Sequence, residues 1–328
     1  MRADLDHVLK AVSRSFYLTI RLLPPVLREP VGLAYLLARA SDTVADSAAS
    51  AAAQRLEALA QMASALRGPG PAPDLSGFIP GLPDASEREL LGRFAEIWRL
   101  WEQTEPGDRE EITRVLEEIL RGQRLDLQRF GACGKEGGVT ALATEAELED
   151  YTYSVAGCVG EFWTRICLRH LPRYAPGIPP EELIRRAVAF GKGLQLVNIL
   201  RDAPADFANG RCYLPLSDLE GHAPGELRTS PTLARAAYER WTERARAHLA
   251  EGLRYIEAIR PWRVRLACFL PWALGVRTLR LMEQSRPLET ARRVKVPRAE
   301  VRRLMLSGAV AALANPLLRT ASERLTRR

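Results

Sequence analysis

Tyr35-Leu-Leu-Ala-Arg39-Ala-Ser-Asp42-Thr-Val-Ala-Asp46 decides how this chain is read. Residues 35, 39, 42 and 46 follow helical spacing and fall on one helix face. Their neighbours Val31, Leu33, Ala34, Leu36, Leu37 and Ala38 are apolar. A helix that apolar is predicted to be buried on most sides. Two carboxylates and a guanidinium turned inward then need charged partners. Taken alone, the pattern fits an exposed stripe of ordinary salt bridges equally well.

A second stretch repeats the pattern: Gly191-Lys-Gly-Leu-Gln195-Leu-Val-Asn198-Ile-Leu-Arg201-Asp202-Ala-Pro-Ala-Asp206. Asn198, Asp202 and Asp206 recur every four residues, with Gln195 one turn earlier. Pro204 is tolerated only near a helix end or at a kink. Asn209-Gly210-Arg211-Cys-Tyr213-Leu-Pro215 then leaves the helix through a turn and sets Arg211 just beyond the second Asp. If the two faces line one cavity of a helical bundle, four carboxylates meet there beside Arg39, Arg201 and Arg211. Such a set cannot stay charged in a low dielectric without cations. Oxygen-only ligands suit Mg²⁺, which keeps waters and is shared with substrate phosphates. The arginines suit bidentate phosphate contacts. The expected chemistry is departure of a diphosphate from an allylic carbon, which needs a dry apolar pocket.

Tyr151-Thr-Tyr153-Ser-Val155-Ala-Gly157-Cys158-Val159-Gly160-Glu-Phe162 offers a wall for that pocket. Gly157 and Gly160 each weaken a helix interior by roughly 1 kcal/mol relative to Ala. Something must therefore approach the backbone, either a ligand or a packed helix. Near the N-terminus, Ser13-Arg14-Ser15-Phe16 could clamp a phosphate and cover its hydrocarbon tail, or simply cap a helix.

Outside these stretches helical periodicity runs almost throughout, with no alternating strand pattern and no Gly-rich strand-to-helix turn. Gly68–Pro83, Gly131–Gly138, Pro172–Pro180 and Asn209–Thr232 read as loops. No break suggests a domain boundary, so residues 1–328 are expected to form a single domain. Hydrophobic residues make up 47%, enough for a sizeable core, and charged residues 27%, enough for solubility. The net charge of +7, carried mostly by Arg, suits anionic partners. No reading helix or aromatic platform points to nucleic acid. The five cysteines form no CxxC pair, which argues against a disulfide framework or zinc cluster and for a reducing compartment. The N-terminus does not read as a signal peptide. Two apolar stretches, Leu266–Val276 and Leu304–Leu318, are too short or interrupted to span a bilayer; they read as buried helices or as surfaces that touch lipid.

The order and spacing of Ser13-Arg-Ser-Phe16, Tyr35-x3-Arg39-x2-Asp42-x3-Asp46, Tyr151-x3-Val155-Ala-Gly-x-Val-Gly160, Gln195-x2-Asn198-Ile-x-Arg201-Asp202-x3-Asp206 and Gly210-Arg211-x-Tyr213-x-Pro215 resemble the squalene/phytoene synthase family. The resemblance implies an all-α isoprenoid (class I terpenoid) synthase fold, a helical bundle around one central cavity. It implies that Asp42, Asp46, Asp202 and Asp206, helped by Asn198, hold Mg²⁺ (or Mn²⁺) against substrate diphosphates. Ser13, Arg14, Arg39, Arg201 and Arg211 would bind phosphate oxygens. Phe16, Tyr35, Val155, Val159, Gln195 and Tyr213 would line the substrate pocket. Tyr151 matches the tyrosine that steers the cationic intermediate or takes up a proton.

The family joins two isoprenyl diphosphates head to head through a cyclopropyl intermediate. Squalene synthases then quench the rearranged cation with hydride from NADPH, whereas phytoene and dehydrosqualene synthases lose a proton. Cys268-Phe-Leu-Pro271-Trp and Ala291-Arg-Arg-Val-Lys295-Val-Pro-Arg298 look more like the squalene synthases. The expected substrate is farnesyl diphosphate and the expected reductant NADPH. Without a Rossmann turn, its 2′-phosphate is expected at the basic cluster of Arg293 and Lys295. Ala45 departs from the acidic residue that many squalene synthases carry there, which leaves the metal count open. A monomer is expected, cytoplasmic or peripheral on the inner face of a membrane, without the long C-terminal anchor of the eukaryotic enzymes. The competing readings are a related synthase that works without NADPH, stopping at presqualene diphosphate or releasing a polyene, and a non-catalytic helical scaffold that binds membranes.

Overall fold

The computed structural model describes residues 3–13, 15–68, 70–131, 138–290 and 294–327, with 3–5, 15, 16, 326 and 327 described by backbone alone. The chain divides into two compact units, residues 1–131 with 165–172, and residues 132–164 with 173–328.

The first unit is helical throughout. Its helices are α1 (Ala3–Ser13), α2 (Ser15–Leu22), α3 (Pro25–Ala45), α4 (Ala52–Ala65), α5 (Ala85–Gly92), α6 (Phe94–Glu102) and α7 (Pro106–Phe130). Proline at the first position starts both α3 and α7, where its missing N–H is not needed. Glu105 caps α7 by accepting from the N–H groups of Gly107 and Asp108. The α3 helix is buried along Leu27, Val31, Leu33, Leu36, Leu37, Ala40 and Val44, as its apolar pattern predicts. It packs against α6 and α7, whose Trp98, Trp101, Ile112, Leu116 and Leu120 complete this core.

In the second unit, β1 (Thr140–Leu142) precedes α8 (Glu145–Thr152), a π-helical turn (Tyr153–Gly157) and α9 (Cys158–His170), whose last residues belong with the first unit. Next come α10 (Pro180–Ala208), β2 (Arg211–Pro215), α11 (Arg235–Ala258), α12 (Trp262–Ser285), α13 (Pro287–Thr290), α14 (Arg298–Ala311) and α15 (Asn315–Arg327). The fold class is all-α, as expected, with one correction. β1 and β2 pair in parallel, Thr140 with Arg211 and Ala141 with Cys212, and the register breaks before Leu142. A ladder of three and five residues is too short to show an alternating pattern in sequence. Gly210, at φ +80°, makes the turn out of α10 into β2.

Gly157 and Gly160, the glycines flagged in sequence, resolve into helix packing: a Cβ on Gly157 would meet the side chains of Tyr153, Lys192 and Val188 at 3.0, 3.1 and 3.3 Å, and Gly160 and its neighbour Gly191 are tighter still. A Cβ on Gly160 would lie 2.2 Å from the Ala187 carbonyl oxygen, and one on Gly191 would lie 2.2 Å from that of Ala156. What approaches these backbones is the backbone of the neighbouring helix. We therefore expect Gly160→Ala and Gly191→Ala each to destabilise the fold by about 1–3 kcal/mol, the range for overpacking. Gly92→Ala, where nothing lies within 4 Å, is expected to be neutral or slightly stabilising. Urea midpoints of the three variants check this.

Of the five cysteines, Cys158, Cys167, Cys212 and Cys268 are buried, with no disulfide among the described residues, and Cys133 lies outside the described residues.

Candidate active site

The first motif sits on the last three turns of α3. Asp42 is half-buried and accepts a 2.5 Å hydrogen bond from Gln123 Nε2 on α7. Burial pushes its carboxyl up to about 6; the Gln123 bond pulls the other way, the charge of Asp46 adds to the rise, and Arg39 opposes it. Asp46 is exposed at the C-cap of α3. Arg39 is held at 2.5 Å by Glu87 of α5, while its Nε is buried without a hydrogen-bond partner among the described residues. Gln123 Oε1 is likewise buried and, among the described residues, unpartnered. Tyr35, half-buried, donates to the Val12 carbonyl at 3.4 Å, and burial raises its phenol. Ser13 is buried and donates to the Leu9 carbonyl within α1. Arg14 lies outside the described residues, as does the side chain of Phe16.

The second motif sits on α10. Arg201 grips Asp202 with two hydrogen bonds, Nε to Oδ1 at 3.0 Å and Nη2 to Oδ2 at 2.5 Å. Asn198, exposed, donates to Gln195 Oε1 at 3.5 Å. Asp206 is half-buried one turn beyond Asp202. It lies close enough to Cys212 for its charge to add to the burial that pushes that thiol up to about 12. Pro204 is accommodated in the last turns of α10, as its position predicts. Arg211 opens β2, half-buried.

The β1–β2 ladder has a consequence that sequence spacing does not disclose. It brings β2 beside α8, and there Tyr213 stacks on Tyr151, with ring centroids 4.8 Å apart and planes inclined 26°. Val155 is half-buried in the π-helical turn, and Val159 is exposed on α9. A second feature missed in sequence is Glu149, two residues before Tyr151. Lys192 of α10 pairs with it, Arg244 of α11 reaches it at 3.1 Å, and His248 lies at 3.9 Å. His248, Lys192 and Arg244 together hold its carboxyl far below the ordinary range. This network ties α8, and with it Tyr151, to α10 and α11. Arg293 lies outside the described residues, and Lys295 is exposed beside the buried Val294.

Among the described residues no three His, Cys, Asp or Glu side chains cluster to hold a metal ion by themselves. The first motif nevertheless fits a hard cation. Two carboxylates on adjacent turns repel one another, burial disfavours the charge on Asp42, and the orphaned amide oxygen of Gln123 is a third oxygen donor. An oxygen set this small suits an ion that keeps its waters and takes further ligands from a substrate.

The sequence profile of the squalene/phytoene synthase family matches residues 9–300. The 15-cis-phytoene synthase of Synechocystis sp. is 29% identical over 223 residues, which cover 63% of this chain and 53% of that enzyme. The squalene synthase of Saccharomyces cerevisiae is 26% identical over 291 residues, covering 85% and 61%. The chain thus spans between half and two thirds of the length of these relatives. Its fold superposes on TcSQS, solved in complex with the ligand E5700, with a TM-score of 0.77 at 22% identity, over 98% of this chain and 90% of that one. That likeness is one of fold, the all-α isoprenoid synthase fold. With the profile running through both aspartate motifs and on into α14, the chain belongs to the squalene/phytoene synthase family, whose members are prenyltransferases.

Proposed function

We propose that this protein condenses two farnesyl diphosphates head to head to presqualene diphosphate, then carries that intermediate to squalene with NADPH as hydride donor. The observation that carries the reading is Asp42, whose charge is disfavoured by burial and by Asp46 beside an unpartnered amide oxygen, in a chain of this family. We assign Asp42, Asp46, Asp202 and Asp206, with Asn198, to Mg²⁺ or Mn²⁺. When bound, the ion supplies positive charge for the departing diphosphate. Arg39, Arg201 and Arg211 then take phosphate oxygens, with Ser13 and Arg14 at the N-terminal end. For Arg39 and Arg201 this means giving up some of the hydrogen bonding now directed to Glu87 and Asp202.

Tyr35, Phe16, Val155, Val159, Gln195 and Tyr213 are assigned to the hydrocarbon chain. Tyr151, its ring fixed by Tyr213, is assigned to the cationic intermediate, where a phenol oxygen can face positive charge or accept a proton. Its hydroxyl is the group to vary if products lost by deprotonation appear. All of these roles are assigned to one reaction of a monomer, cytoplasmic or peripheral on the inner face of a membrane.

Squalene rather than phytoene is favoured by the likeness of Cys268-Phe-Leu-Pro271-Trp and Ala291-Arg-Arg-Val-Lys295-Val-Pro-Arg298 to the squalene synthases. Lys295 and Arg298 are exposed cations beside a segment anchored by Val294, a suitable seat for the 2′-phosphate of NADPH. Arg293 is assigned to the same seat. The decisive experiment incubates the purified protein with farnesyl diphosphate, with and without NADPH deuterated at the transferred position, and identifies products by mass spectrometry. We expect deuterated squalene with NADPH, and presqualene diphosphate or dehydrosqualene without it. The same hydrocarbon at the same rate in both tubes would assign the chain to the proton-losing synthases. Geranylgeranyl diphosphate in a parallel tube tests the substrate length.

A further inference from the structure

The two apolar stretches singled out in sequence have opposite fates. Leu266–Val276 lies in α12, where Leu266, Phe269, Trp272 and Ala273 are buried, so it offers no lipid-facing surface. The second stretch is different. α14 buries Leu304, Gly308 and Ala311 on one side. On the other, Leu306 is 73% exposed and Val310 55%, and past the helix end Leu313 is 62% and Leu317 44% exposed. Leu306, Val310 and Leu313 keep helical spacing and form one strip, which Leu317 extends into α15. Single exposed leucines are ordinary, but a contiguous apolar strip marks an interaction surface.

This strip is a rigid one. The buried Arg265 donates to the Ile259 carbonyl at 2.8 Å and to the Ala312 carbonyl at 3.2 Å. Asn315 donates to the Glu257 carbonyl at 3.3 Å, and Arg319 pairs with the Glu257 carboxylate at 3.0 Å. The turn between α14 and α15 is therefore pinned to residues 257–265. At the edge of that same segment stands Trp262, 44% exposed, with the Arg263 guanidinium 5.5 Å from its ring.

The charge beside the strip is positive. Arg302 is exposed on α14 one turn before Leu306. A third of a turn around the helix, Arg303 joins Arg277, Arg280 and Arg324 in lining a cleft of about 690 Å³ with Leu304 and Leu325 in its wall. Glu300, the one carboxylate in that lining among the described residues, is taken by Arg277. The positive charge in this cleft is thus largely uncompensated: burial and the charges of Arg277 and Arg246 lower the pKa of Arg280.

An apolar strip, an interfacial tryptophan and unneutralised arginines together match the layers of an anionic lipid surface, hydrocarbon beneath phosphate. Helices of 14 and 13 residues are too short to span it, and among the described residues no helix is long and apolar enough to do so. They would lie in the plane of the interface. We propose that the α14–α15 hairpin, with Trp262, is a docking surface for bilayers containing anionic phospholipid, and that the arginine-lined cleft receives their headgroup phosphates. The proposal stands on this surface alone and does not depend on the catalytic reading.

Flotation of the full chain with vesicles of phosphatidylcholine, with or without phosphatidylglycerol, tests it. Binding to the anionic vesicles is expected, weakening as salt is raised. Leu306→Glu with Leu313→Glu should reduce partitioning by about tenfold or more, because each leucine loses its burial in hydrocarbon. Both positions are exposed, so the unfolding temperature should not change. Arg303→Glu with Arg324→Glu should remove the preference for anionic vesicles. Wild-type protein that stays unbound, or a leucine variant that binds as well as wild type, overturns the proposal. Dimers that form without vesicles and are dissolved by the leucine variant, in a protein that ignores lipid, would make the strip an interface between copies and overturn it too.

Discussion

Asp42→Asn and Asp202→Asn should each lower product formation by about 100-fold or more, the scale of losing a preorganised charge from a reacting centre. The amide keeps the shape of the side chain and discards its charge. At Asp202 it can still accept from Arg201, so the local helix should survive. At Asp42 the expected outcome is more specific. Its carboxyl titrates at about 6 in the fold against 3.8 ordinarily. Between those values the folded protein holds a proton that the unfolded chain has released. Stability from Asp42 is therefore fully present below about pH 3.8 and is lost as pH rises toward 6. At pH 7.5 without divalent metal, the charged Asp42 is a net burden on the fold, on the order of 3 kcal/mol. Asp42→Asn should then unfold at the same or a higher temperature than wild type despite that loss of product formation. Radiolabelled product formation and thermal melts on the same samples separate the two effects. Near-normal turnover in both variants would place the chemistry elsewhere, and an Asp42→Asn protein less stable than wild type would show that burial does not disfavour this charge.

Excess chelator should abolish turnover, and Mg²⁺ or Mn²⁺ should restore it. The same electrostatics make a second readout available without substrate. A cation beside Asp42 and Asp46 relieves the charge that burial and their mutual repulsion disfavour. Mg²⁺ should therefore raise the unfolding temperature at pH 7.5 more than at pH 5, where Asp42 is largely protonated. Asp42→Asn should lose most of that increment. Full activity in chelator would remove metal from the mechanism, and an equal thermal shift at both pH values would move any bound metal away from Asp42.

Both aspartate motifs are legible in the chain because helical spacing is a local property. Residues four apart share a face whatever surrounds them, so spacing alone pairs Asp42 with Asp46 and Asp202 with Asp206. Their partners are not legible in this way. Gln123 is one amide in a highly charged helix, Glu87 one acid among many, and nothing in spacing connects either to Asp42 or Arg39. Glu149 gathers Lys192, Arg244 and His248 from helices forty and about a hundred residues away in sequence, which no local pattern encodes. The Tyr151–Tyr213 stack depends on a parallel ladder too short to announce itself.

The glycines show the same division. Their helix-weakening character at Gly157 and Gly160 signals that something must come close, and only packing identifies it as side chains of Tyr153, Lys192 and Val188 at Gly157 and as the backbone of the facing helix at Gly160. So it is with the two apolar stretches. By hydropathy they are alike, and burial separates them: α12 is enclosed by neighbouring helices, whereas α14 and α15 cover one side only and leave Leu306, Val310 and Leu313 in solvent. By itself the sequence determined what repeats along one helix: the all-α class, the two carboxylate faces and the family. Tertiary structure alone decided what meets across helices, namely the partners of each charge, the orientation of Tyr151 and which apolar surface is left uncovered. Those depend on contacts between residues far apart in the chain, whose side chains acquire their surroundings only when the helices pack.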